Sequence, residues 1–137
     1  MGQLTFRKEE KLRKEKSIQE LFDKGSSFYL FPFKVYLMQN TDEQYPVHQV
    51  LVSVSKKNFK RAVDRNLIKR RMRESYRLQK HHLRAHPPLV FGFIYSHKEI
   101  LPQTEVMKKM LQAFNKISTI SFGTAGSDAI QERKKPL

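Results

Sequence analysis

Apolar residues recur along this chain with two different periods, and each change of period marks an element. From Phe33 the pattern alternates, with Phe33, Val35 and Leu37 to one side and Lys34, Tyr36 and Met38 to the other. This predicts a strand over Phe28–Met38, reached through Pro32. A polar turn region, Gln39–Pro46, leads to a second alternating run, Val47–Ser55, where Val50, Val52 and Val54 oppose Leu51, Ser53 and Ser55. The two runs are expected to pair as antiparallel strands. Leu89–Tyr95 is continuous rather than alternating, which predicts a strand covered on both faces.

Helical spacing appears three times. Ile18, Leu21 and Phe22 lie between a capping-box pair, Ser17 and Glu20, and a stop at Gly25, predicting a short helix over Ser17–Lys24. The longest helix is expected over Arg61–His82. At 100° per residue, Asn66, Lys69, Arg70, Arg73 and Arg77 fall within an arc of roughly 100°, opposite Ile68, Met72, Ser75, Tyr76 and Gln79. One side packs and the other presents guanidinium groups. A third helix spans Ile100 to Ile117, with Val106, Met107, Met110, Leu111, Phe114 and Ile117 toward the sheet and Pro102 in its first turn. Residues 118–137 lack periodicity and are expected to form a disordered tail.

Charge changes this picture. Between Lys56 and Arg84 twelve Lys or Arg stand against two acids, Asp64 and Glu74, so this segment supplies ten of the fourteen net positive charges. A solvated face laced with salt bridges needs acids in comparable number. The imbalance favours a polyanion partner, with nucleic acid the first to consider. At 137 residues with 39% apolar composition, one domain with one core is expected. The chain has no cysteine, which excludes disulfides and cysteine-ligated zinc and is compatible with a cytoplasmic setting. The longest apolar run, Leu89–Tyr95, is far too short to cross a bilayer, and the first residues lack the apolar stretch of a secretory signal, so no membrane partner is expected.

Catalytic chemistry is hard to assemble from these residues. His82 and His86 are spaced i, i+4, but Pro87 disfavours a helix there; the histidines read as surface groups. The five glycines are isolated, so no phosphate-binding glycine loop exists. Glu9, Glu10, Glu15 and Glu20 lie among lysines and read as solvated partners. Binding is better supplied. Arg offers a planar fork to phosphate oxygens, and Phe22, Phe28, Tyr29, Phe31, Phe33 and Tyr36 are rings of the kind that stack unpaired bases. A DNA-binding regulator would need an exposed recognition helix and a helix-turn-helix pair, which the Pro87-Pro88 break argues against, so DNA is not an expected partner.

The run Arg65-Asn-Leu-Ile-Lys-Arg-Arg-Met-Arg-Glu74, preceded by Val52-Ser-Val-Ser-Lys-Lys57 and Ala62-Val63, resembles the signature of the bacterial ribonuclease P protein subunit. The likeness covers about residues 4 to 117. It implies a single RNA-binding domain over 1–117: a small α+β sandwich in α-β-β-β-α-β-α order, with a mostly antiparallel sheet and a left-handed βαβ crossover, like ribosomal protein S5 domain 2. It also implies that an RNA subunit is the catalyst, using Mg²⁺ bound mainly by that RNA and none bound by the protein alone. The protein would then act as a noncatalytic subunit of an endoribonuclease that matures the 5′ end of tRNA in the cytoplasm.

Carried over by position, the resemblance gives Lys56, Lys57, Arg61, Arg65, Asn66, Lys69, Arg70, Arg73 and Arg77 contacts to the catalytic RNA. Ile18, Phe22, Lys34, Tyr36, Ser53 and Ser55 would line a cleft for the 5′ leader of precursor tRNA. Leu67 stands where the family usually has Arg, with Arg71 next to it as a substitute. Ile18 replaces a common aromatic, and Asn58-Phe-Lys-Arg61 lengthens the turn before the helix by one residue. The competing reading is a ribosomal or ribosome-associated basic RNA-binding protein without a nuclease role.

Overall fold

A computed structural model describes residues 8–44, 46–83 and 87–119. In chain order its elements are α1 (Glu15–Lys24), β1 (Ser26–Leu30), β2 (Phe33–Gln39), β3 (Gln49–Val54), α2 (Ala62–Gln79), β4 (Leu89–Tyr95) and α3 (Gln103–Ser118). Single 3₁₀ turns occupy Lys8–Glu10 and Lys80–Leu83. This is an α+β domain in the α-β-β-β-α-β-α order. Its sheet runs β1-β2-β4-β3, antiparallel at β1/β2 and β2/β4 and parallel at β3/β4. The tail expected from 118 lies, past Thr119, outside the described residues, as do Arg84 and His86.

Three sequence expectations change. The strand expected over Phe28–Met38 is two strands, β1 and β2, folded back on each other at a cis Phe31-Pro32 bond. Pro32 has no N–H to give a ladder, so the chain turns there. The runs around Val35 and Val52 do not pair with each other, because β4 lies between them. A strand apolar on both faces gains most in the middle of the sheet, and β4 is buried at every position but Ile94. Finally, α1 starts at Glu15 with Lys14 as N-cap and no side-chain cap bond, so the Ser17–Glu20 box is not used. The preceding chain is already fixed: Lys11 bridges Val50, and the Leu12 amide donates to the Val50 carbonyl at 3.0 Å.

The sheet has a deep face and a thin face. Phe28, Phe33, Val35, Leu37, Val52, Phe91, Phe93 and Tyr95 meet α2 and α3 in one core with Ile68, Met72, Tyr76, Met110 and Phe114. All five residues expected on the packed side of α2 are buried. Phe28 and Phe33 thus belong to this core and are not available to stack bases. On the opposite face, α1 is the helix among the described residues, and its fully buried Leu21 packs with Leu12 and Val90 and with the partly buried Ile18, Tyr36, Met38 and Leu51. Gly92 permits this close approach: a Cβ there would stand 3.0 Å from Leu21 Cδ2. Gly25 does the same at the helix end, where a Cβ would come within 2.3 Å of the Leu21 carbonyl oxygen.

Candidate nucleic-acid interface

With its apolar side committed to the core, α2 must turn its cations outward. Asn66, Arg70 and Arg73 are exposed and Lys69 is half-buried; Lys56, Lys57 and Arg61 are exposed in the chain leading to the helix. Each acid of the segment is spent on one arginine. Glu74 accepts from Arg77 at 2.6 and 3.0 Å, and Asp64 stands 3.9 Å from Arg61. The Arg77 bond holds the Glu74 carboxyl below its ordinary range and lifts the Arg77 guanidinium. Arg65 is a brace for the lengthened turn, its Nη1 donating to the Phe59 and Lys60 carbonyls at 2.7 and 2.8 Å. Among the described residues, no acid forms an ion pair with Lys69, Arg70 or Arg73.

Two further groups do not act as expected from sequence. Arg71, the substitute for the arginine missing at Leu67, donates to the Leu101 carbonyl and so ties α2 to the start of α3. Glu10, expected to be solvated, is buried and accepts from Lys80 at 2.7 and 2.9 Å, which fastens the segment before α1 to the end of α2. Burial, with Glu10 nearby, pushes the Tyr76 hydroxyl up, so it stays protonated. His48 is also structural. Its Nδ1 accepts from the Leu89 amide at 3.0 Å, which places its proton on Nε2, 2.9 Å from the Leu83 carbonyl.

The second group of expected residues lies on the thin face of the sheet. Phe22 of α1 meets Tyr36 of β2 edge to face, with ring centroids 4.8 Å apart, and Lys34 Nζ lies 5.6 Å from the Tyr36 ring. Ile18 is half-buried below α1. Register brings in the rest: Ser53 of β3 is opposite Ile94 of β4, and Ile94 is opposite Lys34. Ser55 follows on the same side, its Oγ accepting from the Lys57 amide at 3.2 Å. Alternate residues of β2, β4 and β3 therefore share the thin face of the sheet, beside α1. Ile94 is the residue of this face that sequence reasoning missed, since Leu89–Tyr95 showed no alternation to expose it.

Both groups meet at β3. Val50, Leu51 and Val52 line a cavity of about 400 Å³ with Lys11, Leu12, Arg13 and Arg73 of α2. Lys11 and Arg13 are held at the cation-rich side by the Lys11–Val50 bridge, the Leu12–Val50 hydrogen bond and the Glu10–Lys80 pair, contacts that sequence spacing does not announce. Among the described residues no group of three His, Asp or Glu side chains is placed to hold a metal ion. No described helix is long and apolar enough to cross a membrane.

A small basic α+β domain, with a cation-rich helix on one side of a sheet strand and a ring-bearing sheet face on the other, is the class defined here. The profile of the Ribonuclease P family matches residues 6–118. The Ribonuclease P protein component of Petrotoga mobilis is 34% identical over 104 residues, covering 76% of this chain and 77% of that protein. That of Porphyromonas gingivalis strain W83 is 41% identical over 74 residues, 54% of each chain, so the match spans about half the length of that relative. Among solved structures, the RNase P protein of Staphylococcus aureus at 2.0 Å aligns with TM-score 0.64 and 26% identity over 80% of this chain and 94% of that one. The Thermotoga maritima RNase P protein, at 23% identity, shares the fold with TM-score 0.66 over 78% and 96%. The chain belongs to the ribonuclease P protein family.

Proposed function

We propose that this chain is the protein subunit of a ribonucleoprotein endoribonuclease, ribonuclease P, and serves it by binding two RNAs at once. The cation-rich side of α2, with Lys56, Lys57 and Arg61 leading into it, holds the catalytic RNA. The thin face of the sheet, between Phe22, Tyr36, Lys34, Ile94 and Ser53, holds the single-stranded 5′ leader of precursor tRNA. The observation that carries this reading is the meeting of the two at β3: Val50–Val52 line the cavity shared with Arg73, while Ser53 belongs to the cleft floor.

The chemistry suits these roles. The ammonium and guanidinium groups of Lys69, Arg70 and Arg73, without acid partners among the described residues, suit the phosphates of a folded RNA without reading its sequence. Rings, short hydroxyls and one ammonium accept a single strand of any sequence. Mg²⁺ would assist hydrolysis from within the RNA, and the protein's own residues bind and orient. Such a subunit works where its RNA partners are, in the cytoplasm, and needs neither DNA nor a membrane.

The test is cleavage of a precursor tRNA bearing a 5′ leader at low Mg²⁺, by the cognate catalytic RNA with and without this protein. Strong stimulation, with no cleavage by the protein alone, is expected. Unchanged cleavage with RNA affinity intact would contradict the proposal and favour a ribosome-associated role, which cosedimentation with ribosomes would then show.

A further inference from the structure

We infer that Tyr29 of β1 is an additional stacking residue for single-stranded RNA, so that the strand crosses the whole sheet from Ser53 to Tyr29 and leaves over the β1 edge. This inference rests on the reading of the thin face as the leader site. The register supplies the track: Ser53 is opposite Ile94, Ile94 opposite Lys34, and Lys34 opposite Tyr29. Opposed residues in a pleated sheet point to the same face, so these four side chains form one row across four strands.

The neighbouring row is Leu51, Gly92, Tyr36 and Ser27, and it is the one that α1 covers, through Leu21 above Gly92 and Phe22 against Tyr36. The Ser53–Tyr29 row is left open, with Ser53, Ile94 and Lys34 half-buried and Tyr29 43% exposed. Tyr29 belongs to neither hydrophobic cluster, and among the described residues its ring pairs with no other ring. Its place beside Lys34 puts a base-sized ring one strand away from an ammonium that has no acid partner among the described residues, which is the pairing that a base and its phosphate require. Four strands at about 4.8 Å spacing make the row roughly 14 Å long. With stacked nucleotides roughly 3.4 Å apart, Tyr29 would meet the nucleotide about four steps along from the one at Ser53.

The experiment uses the enzyme reconstituted with its catalytic RNA and three substrates: mature tRNA, a precursor whose short leader ends inside the cleft, and one whose leader spans the full row. The wild type should bind both precursors more tightly than mature tRNA. Tyr29→Ala should weaken the long-leader precursor roughly 5- to 100-fold, from the worth of one stacked base, and leave the short-leader precursor unchanged. Tyr29→Phe, which keeps the ring, should restore wild-type binding, and an unchanged thermal midpoint checks that the variant folds. Equal weakening of both precursors, or no weakening, overturns the role of Tyr29 while the cleft reading stands. A wild type indifferent to the leader overturns both.

Discussion

The outer side of α2 and the thin face of the sheet lie on either side of β3 and are built on opposite plans. On α2 the exposed polar atoms end long, flexible stems and carry full charge, and Lys69, Arg70 and Arg73 have no acid partner among the described residues. On the sheet they sit on short or rigid side chains fixed by register: a hydroxyl at Ser53, a branched carbon at Ile94, rings at Tyr36 and Phe22, with Lys34 as the one cation. The first plan suits phosphates wherever a folded RNA presents them and depends strongly on salt. The second suits a flexible single strand, with stacking in place of charge and a weaker dependence on salt. On the proposed function, a domain of this size separates affinity from substrate discrimination by placing them on different faces of one strand.

Leu21→Ala should have the largest effect. It removes the side chain that seats α1 on Gly92, and loss of a fully buried Leu costs about 2–5 kcal/mol, readable as a lower denaturation midpoint. Leader binding should fall with it, while binding of the catalytic RNA by the remaining folded protein persists; joint loss of both would erase the separation.

Arg70→Ala with Arg73→Ala should weaken binding to the catalytic RNA by roughly tenfold to a hundredfold at moderate salt and flatten the log-log salt slope by about 0.7–0.9 per lost contact. An unchanged slope would take α2 out of the interface. Tyr36→Ala should cost about 1–3 kcal/mol of leader affinity, measured as the difference between precursor and mature tRNA, with the salt slope unmoved.

Glu74→Gln should be the mildest. The carboxylate sits below its ordinary range because Arg77 binds it, so the pair is fully formed at neutral pH and is lost only as pH falls through that lowered value. Removing the Glu74 charge should raise RNA affinity a few-fold and steepen the salt slope by up to about one contact, with little change in stability because the pair is partly exposed. Weaker RNA binding would show that the pair positions Arg77 rather than masks it.

The α2 side was legible in sequence because a single helix turns spacing into a face by arithmetic; all five residues predicted to pack are buried. The fates of individual arginines were not legible. Arg65, Arg71 and Arg77 end on carbonyls of the turn, the carbonyl of Leu101 and the Glu74 carboxylate, partners that depend on tertiary placement. Phe22 and Tyr36 were singled out as rings, but their grouping with Ile18, Lys34, Ser53 and Ser55 came from the family resemblance, since no periodicity tells which strands become neighbours. The insertion of β4 between β2 and β3 puts Ile94 beside Lys34 and Ser53, and that pairing is set by burial of a doubly apolar strand rather than by proximity in the chain.

The chain's lack of cysteine makes a direct measurement possible, because one introduced thiol is a unique attachment point. Ser53→Cys and Arg70→Cys, each carrying a short photoreactive probe, would be crosslinked in the assembled enzyme with bound precursor tRNA. The two-face account predicts that the probe at 53 marks the 5′ leader and the probe at 70 marks the catalytic RNA. Leader crosslinks from position 70 with none from position 53, or the same RNA marked from both, would contradict it.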